Sequence, residues 1–143
     1  MIETDKYLSE INTHHKRKLD PQGHFPIRHY ATWADSSLDI FYSKDYLAQQ
    51  PSANIWIEKN QPLWNYLRDC LKLIFPEAYN KLTNILLPPP LQLLCNPWSG
   101  TAINQQMTSD SILQPHQDWK DIRSVPNAIV PYGDYSGGDL VLL

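Results

Sequence analysis

Cysteine, glycine and excess positive charge are all scarce in this sequence. Its 143 residues include 2 cysteines, too few for a disulfide framework, and 5 glycines, which limits the turns that can take a positive φ. The net charge is -3, so the composition offers no general basic surface to attract nucleic acid. A chain of this length forms one average domain. We expect that domain to lie inside the cell, in the nucleus or cytoplasm, rather than to be secreted.

Long hydrophobic runs are absent as well. No window reaches 18 uninterrupted apolar residues, and the first ten residues, MIETDKYLSE, are polar and acidic. We therefore expect no membrane partner. The sequence does have 12 prolines and an aromatic share of 11%. Both features fit a chain with many turns and broad apolar surfaces to cover.

Helical periodicity is clearest in the middle of the chain. Apolar residues recur at three- and four-residue steps from Gln61 to the prolines at 88–90, which predicts two amphipathic helices that end before those prolines. The first stripe consists of Leu63, Leu67, Cys70, Leu71 and Ile74, and the second of Ala78, Leu82, Ile85 and Leu86. We expect the first stripe to be buried against strands that begin near Leu91, with Cys70 as a buried, reduced thiol.

The rest of the chain divides into an irregular front and a strand-rich end. Residues 19–37 carry prolines, a glycine and scattered aromatics, which predicts a long irregular segment. After the prolines, the sequence predicts four strands or pieces of strands. They lie at 91–98, 100–107, 127–133 and 137–143. Helices followed by strands indicate an α+β fold in which helices buttress an antiparallel sheet.

One short stretch, QPHQDWKD at 114–121, has the spacing of a metal site. Side chains two residues apart in a strand share a face, so His116 and Asp118 could offer an imidazole and a carboxylate to one cation. With a second histidine they would form the facial triad of non-haem Fe(II) oxygenases. With 5 histidines and 11 aspartates, such a pair is expected about 0.4 times by chance. The pair alone therefore leaves a surface histidine open.

Four ordered motifs give this pair a context. AIN at 102–104 precedes His-x-Asp, PYGD follows at 131–134, and GGDL follows at 137–140. In this order the chain resembles the Fe(II)- and 2-oxoglutarate-dependent dioxygenase superfamily, and within it the fungal and protist group related to the TET/JBP nucleobase oxygenases. The resemblance runs from about Leu91 to Leu143. It implies a double-stranded β-helix, or jelly roll, with the helices at 61–87 as support.

The resemblance also implies roles for single residues. His116 and Asp118 would be the first two metal ligands, holding Fe(II). Asn104, beside the site, would face 2-oxoglutarate or the substrate, although a structural hydrogen bond is the alternative. The reaction would hydroxylate a C–H bond, and the subgroup suggests a modified nucleobase, hence nucleic acid, as substrate.

One departure from the family limits this interpretation. The family needs a second histidine and then a basic residue that pairs with the distal carboxylate of 2-oxoglutarate, both after the GGDL strand. All other histidines of this chain precede His116. We therefore expect 61–143 to be the N-terminal part of a dioxygenase domain, after an irregular or helical segment at 1–60, and the isolated chain to be inactive. The alternatives are a catalytically dead remnant or interaction module, and an ordinary α+β domain.

Overall fold

The structure, a computed structural model, describes residues 27–34, 39–104, 124–131 and 133. In chain order these residues form β1 (Ile27–Ala34), β2 (Ile40–Tyr42), α1 (Lys44–Ala48), α2 (Gln50–Lys59), α3 (Gln61–Ile74), α4 (Pro76–Thr83) and β3 (Gly100–Asn104). This part of the chain is a mixed α+β structure, as the sequence predicts. The predicted order, helices first and strands afterwards, is wrong, because β1 and β2 precede every described helix.

The three strands form one antiparallel sheet in the order β2, β1, β3. The central strand pairs Trp33 with Phe41 on one side, and Ile27 with Asn104 on the other. Beyond the regular ladder, the Thr32 amide donates to the Ser99 carbonyl at 2.9 Å. The β3 strand confirms the strand predicted from Gly100.

The central strand lies inside the segment that the sequence predicts to be irregular, so that prediction is wrong for Ile27–Ala34. Its alternation is masked because two polar side chains, Arg28 and Thr32, take buried positions beside Tyr30. The charge of Arg28 can be buried because it is paired with that of Asp45 on α1, whose Oδ1 lies 3.6 Å from Arg28 Nη1.

Helices α2 and α3 cover one face of the sheet with a largely aromatic core. Trp56 of α2 packs against Tyr30 at a ring distance of 6.0 Å and against Trp64 of α3 at 5.7 Å. Leu63 and Leu67 of the predicted stripe are half-buried against this cluster. Each of these helices has a proline in its first turn, where the missing N–H costs no hydrogen bond.

Both predicted apolar stripes end in residues that the structure leaves exposed. Leu71 is buried with Ala78 and Leu82 of α4, as the second core cluster. Ile74, the last residue of α3, is 62% exposed, and the second stripe ends with α4, leaving Leu86 91% exposed. The prediction of a buried Ile74 is therefore wrong, because the contacts that bury Leu71 against Ala78 and Leu82 do not cover Ile74. Cys70 is half-buried rather than buried.

Two predicted strands are also absent from the residues that the structure describes. Residues 91–98 contain one isolated bridge, between Cys95 and Trp98, because the Trp98 amide turns back to donate to the Cys95 carbonyl at 3.0 Å. Residues 127–131 have no strand pairing. The segment 137–143 lies outside the described residues. No described helix is long and apolar enough to cross a membrane.

Candidate functional site

Of the three residues predicted to form the site, the structure describes one. Asn104 is the last residue of β3, is exposed, and pairs in register with Ile27. His116 and Asp118 lie outside the described residues, and so does the GGDL motif. The geometry predicted for the His-x-Asp pair, with both side chains on one side of a sheet, therefore stays a prediction.

Asn104 belongs to the face of the sheet that does not carry the aromatic core. Directly paired residues of neighbouring strands share a face, and alternate residues of one strand point to opposite faces. The described residues of this surface, the Asn104 face, are Ile27, His29, Ala31, Trp33, Phe41, Gly100, Ala102 and Asn104. Tyr30, Tyr42 and Ile103 point to the opposite, core face and pack there against the helices.

The Asn104 face carries no Asp, Glu, Lys or Arg side chain among its described residues. Trp33 and Phe41 are cross-strand partners and remain 41% and 39% exposed. The ring of His29 lies 5.3 Å from that of Trp33, while its backbone amide donates to Asp45 Oδ2 at 2.9 Å. The face thus combines an aromatic end with an amide at the end of β3.

The residues that follow the His-x-Asp pair in sequence, 124–126, contact Trp98 and α4 near the start of β3. Trp98, two residues before β3 begins, donates its indole N–H to the Pro126 carbonyl at 3.3 Å. Val125 packs against the second core cluster, and Lys81 of α4 lies 3.3 Å from the Ser124 hydroxyl. Along the sequence, the His-x-Asp pair lies between the described residues Asn104 and Ser124.

A buried polar cluster ties β1 to α1 behind this face. Ser43 caps α1 by accepting from the Tyr46 amide at 3.4 Å, and its hydroxyl also accepts from the Ala31 amide at 3.2 Å. The Arg28–Asp45 ion pair has side chains 7% and 11% exposed. No sequence pattern indicates this pair, because the two residues are 17 positions apart and each type is normally exposed.

Burial raises the pKa of the Tyr30 hydroxyl above its ordinary value, with Asp45 adding to the rise and Arg28 opposing it. The hydroxyl donates to Gln49 Oε1 at 2.9 Å. Tyr30 is therefore a protonated hydrogen-bond donor of the core at neutral pH, and it connects β1 to the residue between α1 and α2.

Within the described ranges, no three His, Cys, Asp or Glu side chains come together as a group that could hold a metal ion. Compared with family models, with curated proteins and with solved structures, the chain shows no match. Support for a function therefore comes from the sequence motifs and from the position of Asn104 on β3.

Proposed function

We propose that 61–143 is the N-terminal part of an Fe(II)- and 2-oxoglutarate-dependent dioxygenase domain, in which the helices at 61–87 support an incomplete jelly roll. The observation that carries the proposal is the order of the four motifs, from AIN to GGDL. The first motif supports it structurally, since it lies on a strand whose last residue, Asn104, is exposed on the sheet face away from the core.

The donor set fits the metal chemically. An imidazole and a carboxylate are ligands that Fe(II) accepts, so His116 and Asp118 would hold the ion. When bound, Fe(II) and 2-oxoglutarate would activate O2, so that one of its oxygen atoms enters the C–H bond and the other leaves in succinate, with release of CO2. The amide of Asn104 can both donate and accept a hydrogen bond, and would orient the cosubstrate or the substrate from the end of β3. A modified nucleobase is the substrate class that the resemblance implies.

The alternative function is a non-catalytic interaction module. His14, His15, His24 and His29 all precede the motif. None therefore occupies the family's position for the second histidine ligand, and two protein ligands hold a first-row ion less firmly than a complete, preorganised set.

The gene sequence and one assay separate these functions. A histidine followed by an arginine in the reading frame past Leu143 would favour the enzyme, whereas a stop codon would favour the interaction module. We expect the 143-residue chain to release no succinate from 2-oxoglutarate, and a chain extended through that reading frame to release it. Succinate release should disappear in His116→Ala and persist in the control variant His24→Ala. Inactivity of the extended chain, with no iron bound, would rule out the dioxygenase.

A further inference from the structure

A groove of about 330 Å³ lies on the helical side of the molecule, away from the Asn104 face. Its walls are α2, the first residue of α3 and the irregular segment that follows the prolines. Its lining residues are Asn54, Ile57, Glu58, Gln61, Gln92, Leu93, Leu94 and Asn96. Four of these eight side chains are carboxamides, and Glu58 is the one charged group among them.

The backbone at Leu93 has hydrogen-bonding capacity that the described part of the chain leaves unused. On the residue before it, the Gln92 amide donates to the Tyr42 hydroxyl at 3.2 Å, and the Gln92 carbonyl accepts from Thr32 Oγ1 at 2.6 Å. After it, the Leu94 amide donates to the Ser99 carbonyl at 3.4 Å. The N–H and C=O of Leu93 have no such partner among the described residues, although the residue is half-buried.

The two backbone groups of Leu93 differ in this way from those of Gln92. Gln92 directs both of its groups towards the sheet, whereas Leu93 lines the groove and its N–H and C=O have no partner among the described residues. An unpaired donor and acceptor side by side on one residue are what the backbone of an extended peptide pairs with.

The side chains around Leu93 match the same kind of ligand. Tyr46 donates to Asn54 Oδ1 at 2.8 Å, which leaves the Asn54 amide N–H groups for another acceptor. The side-chain amide of Gln92 has no partner among the described residues. Glu58 is exposed and forms no ion pair within the described ranges.

We propose that this groove binds a short extended peptide, which pairs through its backbone with Leu93 and places a lysine or arginine against Glu58. The carboxamides along the walls complement peptide groups, because each offers both a donor and an acceptor. The single carboxylate selects basic over acidic side chains. The proposal is independent of the iron chemistry proposed above.

The test uses the complete 143-residue chain, labelled with ¹⁵N, and three capped alanine pentapeptides. The first has a central lysine, the second a central glutamate, and the third is the lysine peptide with its backbone amides N-methylated. We expect the lysine peptide to shift the signals of the Leu93 amide and the Gln92 side chain with a Kd on the order of 1 mM. The N-methylated peptide should bind at least several-fold more weakly, because it has no N–H to donate to the Leu93 carbonyl.

Variants of one residue test the charge selection. Glu58→Gln should weaken binding of the lysine peptide about two- to fivefold, the range of an exposed ion pair, and Glu58→Lys should reverse the preference towards the glutamate peptide. Glu77→Gln, on α4 and outside the groove, is the matched control and should leave binding unchanged. The proposal is overturned if no peptide shifts these signals, if both variants bind like the parent chain, or if a nucleoside or neutral disaccharide shifts them and the peptides do not.

Discussion

Removing Asp45 should destabilise the fold more than any change to an exposed carboxylate. The Asp45→Ala variant leaves Arg28, whose side chain is 7% exposed, without the one carboxylate that pairs with it among the described residues. Breaking a buried ion pair from one side costs about 3–5 kcal/mol. Asp45 also accepts the backbone N–H of His29 at 2.9 Å, so the start of β1 loses a second attachment to α1.

Urea denaturation measures this loss. With a urea dependence of about 1–3 kcal/mol per molar for a small protein, the midpoint should fall by about 1 M or more. The matched control is Asp69→Ala, which removes a partner of Arg68 at 3.2 Å on the surface of α3 and should cost about 1 kcal/mol or less.

The double variant Arg28→Met/Asp45→Ala isolates the cause of the loss. It should be less destabilised than Asp45→Ala alone, because it leaves no unpaired buried charge. If Asp45→Ala costs no more than Asp69→Ala, or if the double variant is the less stable of the two, the reasoning about the buried pair is wrong.

Leu71→Ala should lower the free energy of unfolding by about 2–5 kcal/mol, whereas Ile74→Ala on the same helix should change it by about 0.5 kcal/mol or less. The reason is that the Leu71 and Ile74 side chains are 5% and 62% exposed. Equal losses of stability in urea denaturation would contradict the assigned face of α3. Gly100→Ala should lower the free energy of unfolding by about 1–3 kcal/mol, because a Cβ at position 100 would lie 2.3 Å from the Cα of Ala31. A thermal midpoint equal to that of the parent would contradict this close approach of β1 and β3. Burial raises the pKa of the Cys95 thiol from 9.0 to about 12. The stability that the protonated thiol contributes should therefore be complete below pH 9 and be lost as the pH rises towards 12. Cys95→Ala should lose less stability than the parent over that pH range, and parallel pH profiles of stability would contradict the shift.

Elements with one strong local signal were predictable from the sequence. Helix α3 was predicted to run from Gln61 to Ile74 because its apolar residues follow the helical period and a proline follows it, and β3 was predicted from its β-type run. The α+β class followed from these elements.

Features set by tertiary contacts were not predictable. The central strand β1 was missed because its buried face includes Arg28, whose burial depends on a carboxylate 17 residues away. Periodicity identified the apolar face of α3 without indicating that Leu71 is buried on this face while Ile74 stays exposed. Helix α2 buries only Ala53 and Trp56, so its amphipathic pattern is weak.

The candidate site shows the same division. The position of Asn104 on a strand could be predicted from the β-type run at 100–107, whereas its place on the face opposite the aromatic core follows only from the pairing of β3 with β1. The peptide groove had no sequence signal, because it depends on the backbone groups that stay unpaired at Leu93 among the described residues.

Metal binding by His116 and Asp118 is the central claim, and an anaerobic titration with Mn(II), followed by electron paramagnetic resonance, tests it most directly. Mn(II) suits the same oxygen and nitrogen ligands as Fe(II) and does not oxidise readily under these conditions. We predict that the 143-residue chain binds one ion weakly, that His116→Ala and Asp118→Ala each abolish this binding, and that His24→Ala retains it. Binding that is unchanged in both His116→Ala and Asp118→Ala, or no binding by the parent chain, would contradict the account.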